Sequence, residues 1–130
     1  MHMSYVEMTI DSLRHAMHKD EWVILLKDKA GQRYLPVYVD KACGDMVASV
    51  LKGEQCEGII DDEIEKMLAM GNEVVLMIDG AEDGRLKGRF VVGQEDESFD
   101  VAYSIGKALA LAVRTGTDIL VKERIIEVKI

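Results

Sequence analysis

Aromatic residues make up only 5% of this 130-residue chain, so its core must be built from aliphatic side chains, with eight methionines to fill irregular gaps. Proline is nearly absent as well: Pro36 is the sole example, and no Pro-, Ser- or Gly-rich linker divides the chain, which predicts one domain over residues 1–130. Two cysteines, Cys43 and Cys56, are too few for a disulfide scaffold and have no CxxC spacing. A reduced, cytoplasmic protein is the expectation from that usage. Basic charge is scarce, with 16 Lys and Arg against 24 Asp and Glu and a formal net charge of −8. No basic run exists to displace counterions from phosphates, which disfavours tight nonspecific nucleic-acid binding; Arg85, Lys87 and Arg89 are the closest approach to one. Long apolar stretches are missing too. "ALALAV" (Ala108–Val113) is far too short to span a bilayer, and "MHMSYVEMTI" lacks the architecture of a secretion signal, so no membrane partner is expected.

What is present is periodicity. "YVEMTIDSL" alternates Val6, Met8 and Ile10 against Glu7, Thr9 and Asp11, the period of a half-buried strand. "EWVILLKD" (Glu21–Asp28) has strand length, Ala30-Gly31-Gln32 reads as a turn, and "RYLPVYV" (Arg33–Val39) as the returning strand. Pro36 has no amide hydrogen to donate, so that strand belongs at a sheet edge. These three segments predict an antiparallel meander. A helix over "KACGDMVASVLKG" follows from Met46, Val47, Val50 and Leu51 at helical spacing, with Gly53 as the stop. A second helix is expected from Asp62 to Met70, opened by Asp62 and Glu65 as a capping box and closed by Gly71-Asn72.

The second half repeats the plan. "EVVLMID" (Glu73–Asp79) reads as a buried strand, "DGAEDG" as a turn, "RLKGRFVV" as an alternating strand, Gly93–Asp96 as an acidic loop and "ESFDVAY" as a further strand. A helix with Ser104 as N-cap and Gly116 as left-handed C-cap follows, then a short strand "DILV" (Asp118–Val121). That helix is apolar almost all round, so it must lie either at the centre of the fold or against a second subunit. Laying "VYVDKACGDMVASVLK" over "FDVAYSIGKALALAVR" brings Val39 onto Val101, Gly44 onto Gly106, Ala48 onto Ala110 and Lys52 onto Arg114. The expected fold class is therefore α+β: antiparallel strands with packed helices, as an internal duplication of a three-strand-plus-helix unit.

Chemistry is harder to find. Gly106-Lys107 fails as a phosphate loop, because Val101 and Ala108 occupy the positions where the loop needs glycine and Ser or Thr. His15 and His18 have a metal-compatible spacing, yet "LRHAMHKDEW" reads as a solvated connection between strands. Cys43 lies near a helix N-terminus, where a thiolate is stabilised, but no histidine is close in sequence, and a small buried thiol is the simpler reading. Carboxylates are plentiful. Asp40 and Asp45 flank the first helix start, and Asp61, Asp62 and Glu63 cluster at the second, positions that the helix dipole favours without any metal.

Two stretches carry a resemblance. "LPVYVDKACGDMVASVLKG" and "ALALAVRTGTDILVKERIIE" resemble the bifunctional-nuclease family, over roughly Tyr5 to Glu127, with "ALALAVRTGTDILV" (Ala108–Val121) the most specific piece. The resemblance implies an α+β fold, a homodimer and metal-dependent hydrolysis of DNA or RNA with Mg²⁺ or Mn²⁺. Asp40, Asp45 and Asp61 are then the acids to test first. The sequence departs from the family at several polar positions. Ser104, Ile105, Gly106, Lys107 and Ala108 stand where Arg-Pro-Ser-Asp-Ala is common, Ile59 and Ile60 precede Asp61 where Thr-His is common, and Cys43 replaces a glutamate. The alternative is accordingly a non-catalytic dimeric binding module that keeps the scaffold without the polar site.

Overall fold

A computed structural model describes residues 4–16, 20–53, 64, 66–67, 70–82, 85–94 and 97–129. Seven strands form one sheet: β1 (Tyr5–His15), β2 (Glu21–Asp28), β3 (Tyr34–Asp40), β4 (Glu73–Glu82), β5 (Arg85–Gln94), β6 (Glu97–Ser104) and β7 (Asp118–Lys122). Their spatial order is β3-β2-β1-β7-β4-β5-β6. Both meanders are antiparallel, and β7 joins them, running antiparallel to β1 and parallel to β4. Three helices have both ends among the described residues: α1 (Lys41–Leu51), α2 (Ile105–Thr115) and α3 (Glu123–Lys129). Each meander thus feeds one helix, and the α+β class with a repeated three-strand-plus-helix unit is what the chain adopts. Element boundaries pair Lys41 with Ile105 and Leu51 with Thr115, so the two units align two residues further along than the Gly44-on-Gly106 register.

The central helix explains the shape. A flat sheet of seven strands is about 29 Å wide from first strand to last. Yet α2 touches β3 at one edge and β5 and β6 at the other. The sheet therefore curls around α2, enclosing Ile105, Gly106 and every residue from Ala108 to Ala112. Of the two places open to an all-round apolar helix, α2 takes the centre of the fold. Strand residues on the concave face, among them Ile24, Leu26, Leu76, Ile78 and Phe90, are fully enclosed with it.

Several expected boundaries move, each for a local reason. β1 continues to His15, because an irregularity between Ile10 and Ser12 resets the alternation and places Leu13 beside Ile24. "LRHAMHKDEW" is thus partly strand. "DGAEDG" is likewise not all turn: β4 runs through a second irregularity between Ile78 and Gly80 to Glu82. There the Asp79 carboxylate is bound by Arg89, Nε at 3.1 Å and Nη2 at 2.6 Å, which holds the kinked strand to its neighbour. Gly93 and Gln94 belong to β5 and not to the acidic loop, since they pair with Ser98 and Glu97. Pro36 does lie on an edge strand, opposite Leu25.

Helix α3 has no counterpart in the sequence reading. It is fixed at its start by a bond from the Glu123 amide to the Ser4 carbonyl and by an ion pair between Glu123 and Arg33, and it buries Ile126. Of the helix expected over Asp62–Met70, Ile64, Lys66 and Met67 are helical; the capping box lies outside the described residues. Gly71 adopts φ +87° and Gly116 φ +72°, the left-handed conformation that ends a helix without a Cβ penalty. Among the described residues, no helix is long and apolar enough to cross a membrane.

Candidate functional site

The two edge strands, β3 and β6, lead into α1 and α2, whose N-termini pack together. Asp40, the last residue of β3, caps α1 by accepting the Cys43 amide at 2.8 Å. Ser104, the last residue of β6, holds the same position on α2, although its side chain makes no capping bond. The helices touch through Gly106: a methyl group there would sit 2.7 Å from Cys43 Cβ and 3.2 Å from Val39 Cβ. Gly106 is thus glycine because two elements press against it. Gly106 therefore packs, as the sequence leads one to expect.

Beside this contact lies an open groove of about 390 Å³. Tyr38, Val39, Asp40 and Cys43 form one wall, Glu82, Arg85, Leu86 and Lys87 the other, and Ser104 to Gly106 contribute the α2 start. Lys87 pairs with Glu82 across the β4–β5 hairpin, and both remain exposed. Cys43 is half-buried. Burial, reinforced by the hydrogen bond to Asp40 and its negative charge, pushes its thiol up to about 11, so it is a neutral thiol at physiological pH. The helix N-terminus does not make it a thiolate.

Asp45 lies one turn further along α1 and has other partners. Its carboxylate accepts the Trp22 indole N–H at 2.8 Å and the Lys41 ammonium at 2.9 Å. Those bonds, Lys41 first, hold the Asp45 carboxyl below the usual carboxylate range. Trp22 is in turn covered by the His15 ring, with centroids 3.6 Å apart. His15 and Asp45 therefore clamp an aromatic ring against α1. His18, Cys56, Asp61, Asp62 and Glu63 lie outside the described residues.

A divalent metal is poorly served by what remains. Among the described residues, no three His, Cys, Asp or Glu side chains converge to hold one. Asp40 is committed to a helix cap and Asp45 to an indole and an ammonium. The described carboxylates do not fit Mg²⁺ or Mn²⁺.

The sequence singled out Asp40 and Cys43, which the fold does bring into one groove. Tyr38, Glu82 and Ser104 escaped it as site residues, and Arg85 and Lys87 drew notice only as scattered charges. Tyr38 lies beside Asp40 because it is two residues earlier on the same strand, whereas Glu82, Arg85, Lys87 and Ser104 are distant in sequence and reach Asp40 only through the fold. Arg89 goes elsewhere, to Asp79, which also accepts from Tyr5 at 3.2 Å.

Residues 24–129 match the bifunctional nuclease domain. No curated protein matches the chain.

Proposed function

Because the chain belongs to the bifunctional nuclease domain family, we propose that it hydrolyses phosphodiester bonds of DNA or RNA, with the strand held in the groove between the α1 and α2 N-termini. The observation that carries this reading is the convergence of both helix starts with Arg85 and Lys87 on one opening. The start of α2, where Ser104 makes no capping bond, and nearby cations are what a phosphate oxygen needs. The net charge of −8 makes such a local arrangement necessary, because the protein's overall field repels the ligand.

A second reading has its own support. Asp40 and Asp45 are both occupied in holding α1, which favours a binding module that keeps the groove without metal-dependent hydrolysis. In either reading a homodimer would form through strand edges or the outer sheet face, since α2 is already enclosed within one chain. Light scattering on the purified protein checks that point, and a monomer at all concentrations refutes it.

Cleavage assays separate the two functions. Purified protein is incubated with single-stranded and duplex DNA and RNA, with Mg²⁺ or Mn²⁺ or a chelator. Cleavage lost in Arg85→Ala/Lys87→Ala supports the nuclease. Binding without cleavage in every condition supports the module. Neither binding nor cleavage removes the groove from consideration for both. Cleavage that depends on metal and survives Asp40→Asn/Asp45→Asn would place the catalytic acids elsewhere, with Glu82 of the groove wall and Asp61 next to be tested.

A further inference from the structure

The groove reading leaves open what form of nucleic acid enters, and the groove's own chemistry decides it. We infer that this groove takes a single strand, DNA or RNA, with one unpaired base stacked on Tyr38. This rests on the reading that the groove holds nucleic acid.

Charge alone cannot hold the ligand there. Arg85 and Lys87 are offset by Asp40 and Glu82 on the same walls, and Cys43 is neutral. Beside the phosphate contacts of the α2 start, affinity can come from Tyr38, whose side chain is 60% exposed on the edge strand β3 and lines the groove. A large exposed aromatic side chain offers a ring face on which a base can stack. Stacking on an aromatic ring is tolerant of base identity and insensitive to net charge, and it is worth about tenfold or more in affinity per base.

A duplex cannot use it, because paired bases hide their faces in the helical stack. Size agrees. At about 390 Å³ the groove lies near the lower end of the range of small-molecule pockets (about 300–1,000 Å³), suited to a nucleotide unit and not to a double helix. Phosphates engaged by Arg85 and Lys87 alone would give a slope of log K against log salt of about −1.4 for a single strand, shallow for a nucleic-acid binder.

Fluorescence anisotropy on the full chain tests this, with a chelator present to prevent cleavage. A labelled oligothymidine strand, the corresponding RNA strand and the same DNA strand annealed to its complement are the probes. Expected are binding of both single strands, duplex binding at least about tenfold weaker, and a loss of about tenfold or more in Tyr38→Ala that Tyr38→Phe restores. Circular dichroism confirms that both variants fold. Duplex binding as tight as single-strand binding, or an unchanged Tyr38→Ala, overturns the inference while the groove reading survives. If no nucleic acid binds the wild-type protein, both fall together.

Discussion

Replacing Gly44 with alanine separates two opposing effects whose sizes can be worked from the structure. Gly44 lies within α1, where exchange of glycine for alanine gains about 1 kcal/mol in helix propensity. Propensity alone therefore predicts a more stable protein. The alanine methyl, however, would fall inside the volume of Trp22 Cγ and Cδ1 and 2.5 Å from Trp22 Cβ. These atoms are the root of the indole, so a swing of the ring's far end cannot relieve the overlap. Trp22 is also held by the Asp45 bond and the His15 ring. Overpacking of this kind costs about 1–3 kcal/mol, and the rigid surroundings place it near 3. The net expectation is a loss of about 2 kcal/mol, or a Tm lower by roughly 6–10 °C. Urea unfolding followed by the emission of the single tryptophan and by far-UV circular dichroism measures it. Gly80→Ala serves as control, because nothing lies within 4 Å of the position. A Gly44→Ala protein as stable as wild type, or more so, would refute the packing argument.

Three further outcomes follow from particular contacts. Asp28 is buried and accepts from the Ala30 amide at 2.9 Å and from Arg33 Nε and Nη2 at 3.1 and 2.9 Å, and these bonds, Ala30 first, lower its pKa. A lowered folded-state pKa gives stability that is fully present above the unfolded value near 4 and lost as pH falls through the folded one. The urea midpoint should thus hold from neutral to about pH 5 and fall below it, and Asp28→Asn should lower the neutral midpoint and flatten that fall; an unchanged profile contradicts the assignment. Cys43, with its thiol near 11, should react with iodoacetamide far more slowly at pH 8 than a free thiol and accelerate towards pH 11; fast alkylation at pH 8, located at Cys43 by peptide mapping, would show a thiolate. Phe90 is fully buried and meets Tyr103 edge-on at 5.5 Å, so Phe90→Ala should cost about 3–5 kcal/mol in urea unfolding.

Local pattern carried most of the fold. β2 was legible to its ends because the apolar run Trp22–Leu26 is bounded by the charged residues Glu21, Lys27 and Asp28, and the α2 boundaries because Gly116 must take a positive φ. The irregularities at Asp11 and Asp79 were hidden, since each shifts the alternation by one residue and looks like the end of a strand. β7 read correctly as a strand, but its place between the two meanders depends on pairing with Tyr5–Met8 and Val75–Ile78, far away in sequence. α3 escaped notice because Ile125, Ile126 and Val128 are β-branched and favour strands; the Glu123 contacts to Ser4 and Arg33 override that preference. The groove was the least legible feature. Capping logic located Asp40 and Cys43, and Tyr38 is two residues from Asp40 on the same strand, whereas Arg85 and Lys87 join them only once the sheet has curled around α2.

Titrating isotope-labelled protein with a single-stranded oligonucleotide, and following backbone amide shifts by NMR, tests the groove most directly. Shifts concentrated at Tyr38–Cys43, Arg85–Lys87 and Ser104–Lys107 are the predicted result. Saturable shifts confined to other surfaces, such as the outer sheet face around Tyr5, Asp79 and Arg89, would contradict it.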